Sequence, residues 1–117
     1  MDISFEDADG YLIVRIQGEW TSDTLGQAIQ DTSNMAKQRG LTRILADLRE
    51  LAAPSTEFTR FQVGQQAVKY FGFHLKVAVV YTEEFTNKFA ENIAVNRGVN
   101  LRIFFNLDEA VSWLKQD

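Results

Sequence analysis

A chain of 117 residues that is 45% apolar and 24% charged has the size and balance of one globular domain built on one core. Its 12 Lys and Arg against 16 Asp and Glu leave a net charge of −4 with no basic run, which argues against nucleic-acid backbones and anionic membranes as partners. The lack of cysteine excludes disulfides, thiolate zinc sites and a Cys nucleophile, and no apolar run approaches the roughly 20 residues that span a bilayer.

The opening residues, Met1 to Asp7, carry no leader pattern, so a cytoplasmic protein is expected. Residues 2–7 alternate with Ile3 and Phe5 on one face; residues 11–17 alternate with Leu12, Val14 and Ile16 on one face. Asp9-Gly10 between them tolerates positive φ at both positions, which predicts an antiparallel hairpin. From about Ser22 to Arg39, Leu25, Ala28, Ile29, Met35 and Ala36 form one helical stripe with Thr32 between them, and Gly40 supplies the stop. Residues 42–48 read as a second long apolar strand. A helix over 56–71 follows, with Phe58, Phe61, Val68 and Phe71 inward. Gly64 inside it costs on the order of 1 kcal/mol against Ala, which suggests that a backbone or a ligand comes close there.

Residues 75–81 are nearly all apolar and rich in Val, the pattern of a strand buried on both faces. Thr82-Glu83-Glu84 begins another helix, with Phe85, Phe89, Ala90 and Ile93 in its stripe and Asn96-Arg97-Gly98 at its end. Residues 100–105 form the last strand. Asn106 caps the closing helix, Glu109 completes a capping box, and Ala110, Val111, Trp113 and Leu114 face inward. Helical connections favour right-handed crossovers and parallel strands. The expectation is an α/β fold in a single domain over 1–117: a mixed sheet of about five strands, antiparallel at its N-terminal hairpin and parallel after it, packed with about four helices.

Four stretches carry a resemblance: the hairpin strand Tyr11 to Gly18, the strand end Ala46-Asp47-Leu48-Arg49, the strand Lys76 to Val80, and the tail Arg102 to Leu114, with its strand, acidic cap, Glu-Ala and Trp-Leu. In that order they resemble the STAS fold of anti-sigma-factor antagonists, and more closely the small bacterial SpoIIAA-like family compared with SEC14-type domains. The resemblance spans nearly the whole chain. It implies a non-enzymatic interaction domain. In antagonist-type members a Ser or Thr at the start of the helix after the central strand is phosphorylated. The matching region here is Pro54-Ser55-Thr56, and the Asp-Ser-Ser-Gly run found there is not present.

The candidate site residues each have two readings. Ser55 and Thr56 either accept a phosphoryl group at a helix N-terminus or simply cap that helix. Asp47, Tyr81 and Asn106 belong at the carboxyl ends of parallel strands, where open α/β sheets bind ligands; local turn and cap bonding is the plainer role, favoured for Asn106. Phe58, Phe61, Phe85 and Phe89 either line an apolar pocket for an acyl chain or pack the core. Trp20 is either a partner contact or folds back on the sheet. His74 lacks the company a metal or a nucleophile would need, so a surface or strand-edge role is preferred. Arg43, Lys76 and Arg102 sit near strand starts and suggest a mildly basic rim.

No phosphate loop, nucleophile elbow or zinc-protease motif is present, and neither metal nor cofactor is expected. The leading expectation is a STAS/SEC14-like binding domain for a small apolar or amphipathic ligand, lipids included, or for a protein partner. The alternative is an interaction switch phosphorylated at Ser55 or Thr56. An enzyme using Asp47 or His74 as base is the weakest reading. The first strand, near a sheet edge, leaves a homodimer open.

Overall fold

The opening hairpin forms as its alternation requires. In the computed structural model β1 (Asp2–Asp7) pairs antiparallel with β2 (Leu12–Gln17), and Phe5 lies opposite Val14. Within the turn Gly10 takes positive φ, at 84°, and Asp9 does not; a bond from the Ala8 N–H to the Tyr11 carbonyl at 2.9 Å closes it. Asp9 does not need the left-handed region expected of it. The structure describes residues 1–52, 57–72, 74–82 and 100–116, with the side chains of 57–61, 63 and 64 excepted.

The remaining elements are α1 (Ser22–Gln38), β3 (Arg43–Asp47), α2 (Glu57–Phe71), β4 (Lys76–Val80), β5 (Asn100–Phe104) and α3 (Leu107–Lys115). The sheet runs β1-β2-β3-β4-β5, and every pair after the hairpin is parallel. The mixed five-stranded α/β architecture is therefore as expected, with three helices among the described residues. The other helix expected, over Phe85, Phe89, Ala90 and Ile93, lies outside them.

Alternation along each strand divides the core between the two faces of the sheet. Leu12, Val14, Ile16, Ile44 and Val77 point to the side of α1 and α2, where they meet Leu25, Ala28, Ile29, Ala36, Ala67 and Phe71. Leu45, Ala78 and Val80 point to the other side and meet Ala110 and Leu114 of α3. Residues of β4 are thus buried on both faces, as its nearly continuous apolar run predicts.

Helix ends follow local chemistry. Thr21 and Thr24 form a reciprocal capping box at the start of α1. At its end Gly40 takes φ of 66°, and the Leu41 and Gly40 N–H groups return to the Ala36 and Lys37 carbonyls, a Schellman closure. Asn106 caps α3 through its Oδ1, which accepts from the Glu109 N–H at 3.1 Å. The return bond from Glu109 does not form, so the expected box is half made; its exposed carboxylate still faces the positive end of the helix.

The helices α1 and α2 meet where the sequence looks weakest. Gly26 and Ser33, absent from the apolar stripe, are both buried. A Cβ on Gly26 would stand 3.4 Å from the Gln66 side chain, and the Ser33 hydroxyl donates to the Tyr70 carbonyl at 2.7 Å. Small side chains let the two backbones approach, and the buried hydroxyl is satisfied across the gap.

The expected basic rim is used inside the molecule. Lys76 Nζ donates to the Trp113 and Gln116 carbonyls, each at 2.6 Å, and lies 4.5 Å from the Trp113 ring centroid. Arg43 Nη1 reaches the Lys115 carbonyl at 3.4 Å. Both cations neutralise the negative end of α3. Arg102 stands mid-strand, opposite Ala78, rather than at a strand start. No helix among the described residues is long and apolar enough to cross a membrane.

Candidate functional site

The carboxyl ends of β2, β3 and β4 meet in one place, because parallel neighbours end together. The chain leaves β3 at Asp47 and runs through Leu48 to Ala52, and this loop is stitched on both sides. The Leu48 N–H donates to the Val80 carbonyl at 2.9 Å. The Gly18 N–H donates to the Glu50 carbonyl at 3.1 Å, and the Ala52 N–H returns to the Gly18 carbonyl at 2.9 Å. Gly18 has φ of 95°, in the region that L side chains rarely adopt. A glycine is what this crossing requires.

The Ala52 carbonyl closes the platform. It accepts from Trp20 Nε1 at 2.7 Å and from the Tyr81 hydroxyl at 3.2 Å. Trp20 belongs to the segment leaving β2 and Tyr81 to the one leaving β4, so one acceptor joins three connections. Trp20 therefore folds back: it is half-buried against the core and tethered, instead of standing in solvent. Ala52 is the last described residue before 53–56, which contain Ser55 and Thr56 and lie outside the described residues.

Asp47 points to the face carrying α3, and its side chain is only 13% exposed. It accepts from Arg49 Nε at 2.9 Å and Nη2 at 2.8 Å, a bidentate pair, and from the Arg49 backbone N–H at 3.3 Å. Arg15 Nε stands 3.9 Å away, while its Nη1 pairs with Glu6 at 3.0 Å. The Arg49 side-chain hydrogen bonds hold the Asp47 carboxyl below its ordinary value despite desolvation, which acts the other way. A carboxylate so occupied is a loop anchor; a general base for chemistry near neutral pH needs the opposite shift.

An open polar groove of about 530 Å³ lies beside it, lined by Arg15, Gln17, Asp47, Arg49 and Glu50. An apolar cavity of about 90 Å³ lies between the sheet and α1–α2, with Ile29, Ile44, Ala67, Phe71 and Val77 in its wall. That is well under the roughly 300–1,000 Å³ of a small-molecule site.

The site residues expected from sequence thus divide. Asp47 and Tyr81 sit on one platform; Asn106 is a helix cap. Phe58 and Phe61 lie on α2, where only the backbone is described, and Phe85, Phe89, Ser55 and Thr56 lie outside the described residues. His74 is exposed, and no group of three His, Asp or Glu among the described residues is placed to hold a metal ion. Arg49 and Ala52 were not foreseen. An Asp two residues before an Arg at a strand end was the available signal for the first; a backbone acceptor leaves none.

Exchange of Asp47 for Asn should cost about 1 kcal/mol, since Arg49 is half-exposed and such pairs are screened. The sign with pH follows from the depressed folded ionisation. The carboxylate's stabilisation is complete at neutral pH, begins to fade as pH falls through the ordinary value of 3.8, and is gone below the folded value. Urea titrations between about pH 2 and 7 should therefore show a shallower acid loss for Asp47→Asn than for the parent. Parallel acid limbs would remove Asp47 as a stabilising anchor.

No protein-family model matches the sequence, and no curated protein matches it as a relative. Solved structures do match its fold over nearly the full chain. An anti-sigma factor antagonist from Mycobacterium paratuberculosis is 18% identical with a TM-score of 0.66, covering 98% of this chain and 94% of that one. RsbS from Moorella thermoacetica is 14% identical with a TM-score of 0.62, over 98% and 96%. The phosphorylated form of the Bacillus cell fate determinant SpoIIAA is 13% identical with a TM-score of 0.53, over 97% and 100%. The chain therefore has the SpoIIAA-like, STAS-type fold.

Proposed function

We propose that this chain is a single non-enzymatic interaction domain of the anti-sigma-factor-antagonist type, acting in the cytoplasm and contacting a protein partner through the platform at the carboxyl ends of β2, β3 and β4. The supporting observation is the junction at Ala52, where Trp20 and Tyr81 hold the base of the loop that leads to residues 53–56. A loop held at its base presents a preformed surface, which lowers the ordering cost of binding. The fold shared with an anti-sigma factor antagonist points to the partner class.

The test is calorimetric titration of the purified chain with anti-sigma factors from its own host. Micromolar or tighter binding to one of them, weakened at least about tenfold by Trp20→Ala, is the expected result. Failure of every such factor to bind would remove the reading.

A second reading, phosphorylation at Ser55 or Thr56, is favoured by the place of those residues three and four positions along the chain from the anchored Ala52. Kinase treatment followed by peptide mass mapping tests it, and an unmodified 53–56 segment would sink it. The small-ligand or lipid reading has less support, since the apolar cavity among the described residues holds only a few carbon atoms. Native mass spectrometry of fresh protein would revive it by finding a mass lost on denaturation.

A further inference from the structure

We propose that the groove between α3 and β5, on the sheet face opposite α1 and α2, joins two copies of this chain about a two-fold axis. The helix α3 lies mainly over β4, and the β5 side chains on this face, Arg102 and Phe104, are left exposed and half-buried. A groove of about 440 Å³ results, with Phe104 and Trp113 on its floor at a ring separation of 5.6 Å. Its β5 wall carries Arg102, and its α3 wall carries Asp108 and Glu109. None of these three charged groups makes a salt bridge among the described residues. Where β5 passes into α3, Phe105 is 52% and Leu107 36% exposed.

The charge pattern specifies a second copy as occupant. A two-fold axis along the groove sets the β5 wall of each copy against the α3 wall of the other, so Arg102 meets Asp108 and Glu109 twice over. The levels are within reach of an arginine side chain: Lys76, at the start of β4, bonds the end of α3, so α3 runs back along the sheet and its acidic start lies near the end of β5, two residues on from Arg102. The other outer strand of the described sheet, β1, is a poorer surface for self-pairing. It carries Asp2, Glu6 and Asp7, and pairing with its own copy would bring like charges together.

The patch is smaller than the roughly 20–30 residues a side of a standard interface, so the dimer should be weak. Sedimentation velocity of the full chain, over about 10 μM to 1 mM, should show the mass rising from 13.3 kDa toward twice that value. Arg102→Glu should raise the dissociation constant at least about tenfold. Adding Asp108→Arg and Glu109→Arg to Arg102→Glu should restore the dimer, because the walls are again complementary. A chain that stays at 13.3 kDa throughout overturns the proposal. So does a dimer indifferent to Arg102→Glu, which would place self-association elsewhere.

Discussion

Leu114→Ala is expected to destabilise the protein by about 2–5 kcal/mol, a large part of the 5–15 kcal/mol typical of a domain. Leu114 has no exposed surface, and the core on its side of the sheet is small: Leu45, Ala78, Val80 and Ala110 are its fully buried companions. Two of these are alanines, so among the fully buried residues Leu114 is one of the few large side chains between α3 and the sheet, with Tyr11, Ile13, Phe104, Val111 and Trp113 packed around it half-buried. The helix spans only Leu107–Lys115, too short to hold itself in water. Urea unfolding measures the loss directly, and the melting temperature should fall by roughly 10–20 °C. Leu107→Ala, at an exposed position on the same helix, should cost under about 1 kcal/mol. Equal effects from the two would mean that burial against the sheet does not hold α3.

Trp20→Phe and Tyr81→Phe together should cost about 2–4 kcal/mol, more than the sum of the two single exchanges. Each alone removes one donor from the Ala52 carbonyl and leaves the other in place. The single losses should be about 0.5–1.5 kcal/mol each. Removing both leaves a partly buried acceptor without its side-chain donors and frees the base of the loop from β2 and β4 alike. A double-mutant cycle by urea unfolding reads the coupling. Strict additivity would show that the two donors act independently. If the platform is the partner surface, the double variant should also lose partner binding by a larger factor than it loses stability.

These two expectations rest on different kinds of information. The place of Leu114 was legible in the sequence: the spacing of Ala110, Val111 and Leu114 after a cap at Asn106 says which side of a helix is inward. The same holds for the alternation of Leu12, Val14 and Ile16 and for the doubly buried Val77 to Val80. Period and polarity are local properties, and burying the apolar face is the largest local driving force. The carboxyl-end placement of Asp47 and Tyr81 was legible too, since it follows from strand direction.

The Ala52 junction was not legible. Its acceptor is a backbone carbonyl, present at every position, and its donors are 32 and 29 residues away along the chain. Nor was the seam of Gly26 and Ser33, because neither residue scores as apolar and their burial depends on how closely α2 approaches. Lys76 and Arg43 showed only that charges lie near strand starts; the end of α3 arriving beside them turned those charges into helix anchors. By itself the sequence determined which described residues form strands and helices, which faces go inward and which strands run parallel, because these follow from periodicity and chain connection. Only the tertiary structure decided which polar groups meet across elements, because hydrogen bonds form between atoms brought close in space, and nothing in the local chain records that distance.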